Sequence, residues 1–522
     1  MRSGIFGVIK GDSQNLGCTK PTKLSQKLIQ TKNSALHGTW FGELSYPAEE
    51  LLSDPEKFNM LEGPTQGFHY DPQSRKLALH VDFARQHPVF YYHKSQLFAF
   101  ANSLEKLCEL LKAHDIKIKA DEQGASMLLT YSSILGNKTL VKGVRKLMPG
   151  YSLFYSDNKV ELINRNNLQD LDRHISDKSS AIELLDSTFK SVTNAVATTN
   201  ADLGADQINL LSGGIDSRMV FMQSVKASNS VSTLCFSAEG YLDHQISQQI
   251  SKDYNIDYNF CNLNPGTYMM CTDSMEDYDG TINFLASAHH RFALNNFNNQ
   301  GIIASGQLGN EILAEFYNPN NDFYDTLESI TTMKGVGGGE KDVWNATPDS
   351  TLFKLYNRGF LYTNSAAYST LDGTLYSPFT SKEFVKAALQ LHPSLLKDHF
   401  IYLEWMKARY PESICYKWER YRVKPVVGMS LKLAKLKMSI LTRFIYPLSN
   451  FRCDSMSPLQ HWYKESKILQ QFFSKTFEEN IEQLDSVPSL ESFVKQNYAF
   501  MNITNKASVL TLLLALKKYV NS

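Results

Sequence analysis

Short apolar runs separated by turn residues fill the first third of the chain, at residues 4–9, 76–81, 89–92 and 97–101. Runs of this length with such punctuation predict β-strands. Met148-Pro149-Gly150-Tyr151 predicts a tight turn, in which proline presets one backbone angle and glycine is free to take the next. The polar stretch 164–180 predicts a linker, and beyond it the period changes. Residues 181–198 carry apolar positions at helical spacing, and a short apolar run follows at 207–211. Helix and strand patterns then alternate: helix 218–226, strand 231–236, helix 243–254, strand 258–263, helix 283–297 and strand 301–304. Such alternation predicts an α/β unit with a parallel sheet covered on both faces. From about residue 353 the pattern is mostly helical, and no internal repeat interrupts it.

The chain has 522 residues, which suits a division into a β-rich domain over 1–165 and a larger α/β domain over 180–522. Hydrophobic residues make up 43% and charged residues 20%, the balance of a globular protein in water. Lys plus Arg equals Asp plus Glu at 53 each, so no global charge draws the chain to nucleic acid or to a membrane. Cys18, Cys108, Cys235, Cys261, Cys271, Cys415 and Cys453 are scattered without a CxxC pair. That argues against a disulfide framework or a zinc site, and for a reducing, cytoplasmic setting. The opening MRSGIFGVIKGD turns polar too soon for a signal peptide. The partly apolar stretch 431–448 is broken by Lys432, Lys435, Lys437 and Arg443, which predicts an amphipathic helix packed on the protein rather than a membrane span. His289-His290 lacks further ligands at zinc spacing and reads as surface or pocket lining, and the GVGGG run at 335–339 reads as a flexible loop, with a lid as its functional alternative.

The strongest chemical signal is Ser212-Gly213-Gly214-Ile215-Asp216-Ser217, between a strand and a helix. The glycines let the backbone turn sharply and approach a ligand closely. The helix that follows offers unpaired amides and a positive dipole end, a site for anions. Ser212 and Ser217 add hydroxyls. Asp216 would repel phosphate directly and makes sense as a Mg2+ ligand bridging to it. An ordinary strand-to-helix turn uses the same residue types, but all six in this context favour the ligand-binding reading.

Leu211 and these six residues resemble the pyrophosphate loop of AMP-forming ATP pyrophosphatases, and within them the asparagine synthetase family. Further segments carry the resemblance in the same order. Phe236 stands where the family contacts adenine, and Glu276-Asp277-Tyr278-Asp279 precedes the helix that borders the family's amino-acid pocket. Ser305-Gly306-Gln307-Leu308-Gly309-Asn310-Glu311 is similar to the family's second loop, Pro378-Phe379 to its Pro-Phe-Leu-Asp segment, and Arg422-Val423-Lys424 to the Arg-x-Lys with the catalytic lysine. The resemblance implies an N-terminal-nucleophile-type sandwich followed by an ATP-pyrophosphatase domain. It implies ATP at Leu211, Ser212, Gly213, Gly214, Asp216, Ser217, Phe236, Ser305 and Gly306, and Mg2+ at Asp216 and Asn310. It implies substrate contacts from Asp279, Gln307 and Glu311, and catalysis by Lys424 and Arg422. A cation at Lys424 would stabilise charge that builds on the α-phosphoryl group and the departing pyrophosphate.

The chain also departs from the family. Gln307 stands for a glutamate and Asn310 for a magnesium-binding aspartate. Ser3-Gly4-Ile5-Phe6-Gly7 aligns with the family's glutaminase start, but Ser3 replaces the nucleophilic cysteine and the preceding Arg2 disfavours removal of Met1. The family's Arg-Gly-Pro-Asp and Asn-Gly-Glu stretches are missing, while scaffold segments around residues 82–92, 99–103 and 144–150 persist. β-Lactam synthetases and lasso-peptide cyclases share this arrangement of a kept fold and a lost glutaminase. The expected function is adenylation of a small-molecule carboxylate, aspartate or another metabolite, and amide formation with ammonia or a substrate amine. The alternative is a degenerate, non-catalytic nucleotide-binding or interaction protein of the same fold. A thiol-forming tRNA enzyme would want catalytic cysteines and a basic face, and neither is evident. A homodimer stays open.

Overall fold

In the strand Ile5–Lys10, Ile5 and Ile9 face one way and Val8 the other, and all are buried. In Leu97–Ala101 every residue is buried, with Phe98 and Phe100 on the side of Ile5 and with Leu97, Ala99 and Ala101 opposite. Strands apolar on both faces need cover on both. The computed structural model describes residues 3–21, 23–270, 279–295, 297, 301–317, 322–365, 375–445 and 455–522. Among them, strands β1 (Ile5–Lys10), β2 (Ser13–Cys18), β3 (Lys27–Gln30), β4 (Ser34–Gly38), β5 (Thr65–Asp71), β6 (Lys76–Val81), β7 (Phe90–Lys94), β8 (Leu97–Ala101), β9 (Val144–Lys146), β10 (Tyr151–Ser156) and β11 (Lys159–Asn164) build antiparallel sheets. Their orders are β2-β1-β8-β7-β9 and β11-β10-β6-β5-β4-β3.

The facing sides of these sheets enclose Ile5, Ile9, Phe68, Leu79, Phe98 and Phe100. The helix Leu104–Lys112 covers the outer face of the first sheet, and Ala48–Ser53 with Pro55–Phe58 covers the second around Leu36, Trp40 and Leu52. The layers therefore run helix, sheet, sheet, helix. The turn at 148–151 forms as expected: the Tyr151 amide donates to the Met148 carbonyl at 3.0 Å, and Gly150 takes a φ of 69°.

The parallel sheet expected downstream is present. β12 (Gln207–Leu210), β13 (Val231–Ser237), β14 (Asp257–Asn262), β15 (Ile303–Ala304) and β16 (Leu375–Tyr376) pair in the order β14-β13-β12-β15-β16. Chain order runs outward from β12 in both directions, so the winding reverses between β12 and β15. Sheets of this kind bind ligands in the crevice beyond the carboxyl ends of the strands at such a reversal. The stretch expected as a linker is fastened down: the Ile175 amide donates to Gln390 O at 3.1 Å, its carbonyl accepts from the His392 amide at 2.8 Å, and Arg165 and Asn166 are buried.

Helices dominate the C-terminal part. The helix Ile503–Tyr519 packs on Leu104–Lys112 and on Glu122–Tyr131, so one apolar core includes both Val8 and Tyr519. The helix Met429–Ile440 is amphipathic in a different sense from that expected: it buries Leu431 and Ala434, and its other apolar side chains stand outside. Residues 446–448 of that stretch lie outside the described residues. No helix among the described residues is long and apolar enough to cross a membrane.

The sandwich meets the parallel sheet at its edge strand. Phe41 packs edge-on against Tyr376 of β16 with centroids 4.9 Å apart, and the Tyr376 hydroxyl donates to Glu62 Oε1 at 2.5 Å. Burial pushes the Glu62 carboxyl up to about 7, and the tyrosine hydrogen bond offsets only part of that. A raised carboxyl pKa contributes stability that is complete below the unfolded value near 4.5 and is lost as pH rises through about 7. Glu62→Gln keeps an acceptor for Tyr376 and cannot ionise. Thermal melts should show it more stable than the parent above pH 8 by roughly 1–3 kcal/mol, with the gap closing below about pH 5.

Candidate functional site

β12 is buried along its whole length and delivers the chain into residues 211–214, after which the helix Ile215–Ala227 begins with Gly214 as its N-cap. Side chains fix the loop. The Ser212 and Ser217 hydroxyls lie 3.0 Å apart, the Gly214 amide donates to Ser212 Oγ at 3.1 Å, and the Gly213 amide donates to Asp243 Oδ1 at 2.8 Å. Arg218 has no exposed surface. Its guanidinium donates to the carbonyls of Gly213 at 2.8 Å, Ser413 at 2.9 Å, Tyr416 at 3.2 Å and Lys417 at 2.8 Å. The Glu419 amide adds a bond to the Gly213 carbonyl at 3.3 Å.

The second loop follows β15, the neighbour of β12, and comes down on the first. A Cβ on Gly306 would lie 2.2 Å from the Ser217 nitrogen and 2.4 Å from the Asp216 carbonyl carbon, so only glycine fits. A Cβ on Gly309 would touch the Asp216 carboxyl at 3.0 Å. Between the loops opens a cavity of about 360 Å³, the size of a small-molecule site. Its floor is Leu211, Ser212, Gly214, Asp216 and Ser217, and its side is Ser305, Gly306, Gln307 and Glu311. Phe236, at the end of β13, forms a wall with His289 and His290, whose rings lie 5.5 and 5.0 Å from its own. Burial holds His289 down to about 4 and His290 well below the usual imidazole range, so at neutral pH both present uncharged aromatic surface. Met456 completes the lining, held by the Ala238 amide donating to its carbonyl at 2.7 Å.

The chain matches no protein-family model and no curated protein.

The electrostatics of the cavity are set by carboxyls taken out of water. Burial, then the charge of Glu311, pushes Asp216 well above the ordinary carboxylate range, although the Tyr402 hydroxyl donates to its Oδ1 at 2.7 Å. Burial pushes Glu311 up to about 7. A divalent cation would relieve this pair. Asn310, expected as a metal ligand, lies next to Glu311 but does not itself line the cavity; its Nδ2 donates to Glu315 Oε1 at 2.8 Å, and its Oδ1 is buried and unpartnered. Among the described residues no three His, Cys, Asp or Glu side chains form a metal cage. Mg2+ needs none, because it is held through one or two protein oxygens plus waters and phosphates.

Most of the residues expected from sequence thus converge, and some do not. Gly213 lies behind the cavity surface, its amide taken by Asp243. Asp279 is spent elsewhere: its carboxylate accepts from the Leu104 amide at 2.9 Å, at the positive start of the helix Leu104–Lys112. Glu276, Asp277 and Tyr278 lie outside the described residues. Arg422 and Lys424 are exposed on the turn that Glu419 ties to the loop, and neither lines the cavity. The 335–339 loop is not in the lining either; its Gly338 amide donates to Glu340, which also accepts from the Tyr131 hydroxyl. Arg218, Asp243, Tyr402 and Met456 carried no local sequence signal beyond the adjacency of Arg218 to the loop.

Gly306→Ala tests the contact between the loops. The methyl meets backbone rather than a movable side chain. Denaturant unfolding should show a loss of about 1–3 kcal/mol, whereas Gly240→Ala, at a turn with open space around it, tests only the cost of its own positive φ.

Proposed function

We propose that the chain is an AMP-forming, ATP-dependent ligase of the asparagine synthetase type, which activates a carboxylate and joins it to an amine. The observation that carries this reading is the convergence, at the winding reversal of the parallel sheet, of the 212–217 loop, the 305–307 loop and Phe236 on one cavity. Phe236 and the neutral histidines offer π-surface for a purine. The start of the helix Ile215–Ala227, with Ser212 and Ser217, offers donors for phosphate oxygens. Asp216, Glu311 and the unpartnered Asn310 oxygen would hold Mg2+, which neutralises phosphate charge when bound.

In the proposed reaction a substrate carboxylate oxygen attacks the α-phosphorus, the bond to the bridging oxygen breaks, and pyrophosphate departs. An amine nitrogen then attacks the acyl carbon, and AMP leaves with the former carboxylate oxygen. The unpartnered Gln307 Oε1 in the lining suits an ammonium or amide N–H of the substrate. Lys424 is assigned to the charge on the phosphates, which its side chain would meet from the turn that Arg218 and Glu419 tie to the loop. Ser3 supports an amine source other than glutamine split by the sandwich: its hydroxyl donates to the neutral Gln26 amide oxygen at 3.1 Å, which cannot act as a base.

The exposed Lys424 and the committed Asp279 favour a second reading, a nucleotide-binding protein without turnover. Phosphorus NMR of the protein with Mg-ATP, ammonium and a panel of carboxylates, aspartate first, separates the two. The ligase reading expects AMP and pyrophosphate in equal amounts with one substrate, falling about 10²-fold or more in Asp216→Ala and in Lys424→Ala. Calorimetric ATP binding without AMP across the panel would favour the second reading, and no binding at all would sink both. Phe236→Ala should weaken ATP binding by roughly tenfold through lost stacking.

A further inference from the structure

The helix Met429–Ile440, continued by Leu441–Ile445, is apolar on opposite faces. The inner face, with Leu431 and Ala434, pins it to the protein. On the outer face Met429, Leu433, Leu436, Ile440 and Phe444 recur every three or four residues and are 46–70% exposed. Side chains at that spacing share one side of a helix, and the stripe is about 22 Å long at 1.5 Å per residue. Lys432, Lys437 and Arg443 flank it, and residues 429–445 contain no Asp or Glu.

We propose that this face docks the protein in the plane of an anionic phospholipid surface. A narrow apolar stripe between rows of cations is suited to the boundary of headgroups and acyl chains, where the leucines and Phe444 enter and the lysine stems reach back to phosphates. Charge decides against a second copy of the chain as occupant. Two such helices face to face would bring their cations together with no acid on either to neutralise them. The stripe is also one side chain wide, far short of the roughly 800 Å² per partner of a stable protein interface. Beside the helix a cleft of about 510 Å³ opens against Phe400 and Leu403, rimmed by Lys397, Lys432 and Lys435 with a single acid, Asp398. Lys435 is engaged with the Asp398 carbonyl at 3.0 Å, and Lys397 and Lys432 stand exposed. The near-zero net charge of the whole chain hides this local excess.

Flotation of the full chain with phosphatidylcholine vesicles, with and without phosphatidylglycerol, tests the proposal. The protein should float with the anionic vesicles, be released by high salt, and stay behind with phosphatidylcholine alone. Leu433→Gln with Leu436→Gln, and separately Lys432→Glu with Lys437→Glu, should each reduce binding by about tenfold or more, with unchanged melting because these side chains are exposed. Failure to float with anionic vesicles, or binding unaffected by both variants, would overturn it. So would a dimer in sedimentation velocity that the leucine variant dissolves without any vesicle binding, which would assign the face to a second copy.

Discussion

Arg218 carries a charge where no water reaches it. A guanidinium so placed is tolerable only if its N–H groups are met, and here carbonyls from Gly213, Ser413, Tyr416 and Lys417 meet them. Those carbonyls come from the loop after β12, from the short 3-10 helix Pro411–Cys415 and from the two residues that follow it. Burial lowers the guanidinium only to about 10, so it stays charged at neutral pH. The bonds therefore run both ways: the arginine is satisfied, and the loop after β12 is nailed to the segment that leads to Lys424. Asp243 holds the same glycine from the other side. The supports of the cavity floor therefore lie behind it.

The second loop packs against that floor. Gly306 can lie on the first turn of the helix Ile215–Ala227 only because the residue has no side chain. The close approach brings Asp216 and Glu311 together out of water, which is unfavourable for the empty protein and favourable for one that takes up a cation. Carboxyls whose pKa is raised by burial beside a like-charged neighbour are enriched at functional sites.

What could be read from the sequence followed from how local each cause is. Strand and helix alternation placed β12, β13, β14 and β15 within a residue or two, because period and turn chemistry are local. β16, at Leu375–Tyr376, is too short to leave a period and was invisible. The 212–217 loop was legible because its residue types serve one local geometry. Asp279 was assigned from position alone: its backbone φ of 55° and its bond to a helix start 175 residues earlier are tertiary facts. His289 and His290 were discounted as metal ligands, and they line the cavity as neutral rings, which only their burial reveals. The stretch 431–448 was expected to be an amphipathic helix packed on the protein; as far as residue 445 it is helical and packed through Leu431 and Ala434, but its outward apolar face required knowing which side the protein already occupies.

The shared core has a consequence for how the chain is made. The helix Glu122–Tyr131 is buried from Gly124 to Tyr131, and part of its cover is the helix Ile503–Tyr519, which is synthesised nearly four hundred residues later. The sandwich strands emerge early, yet the apolar helices on their outer face must wait for nearly four hundred further residues. At about 5–20 residues per second that is roughly 20–80 s of exposed hydrophobic surface on a ribosome-bound chain. A nascent protein in that condition is a natural client for holding chaperones, and a chain cut short of Ile503 would leave the apolar surface of these helices uncovered.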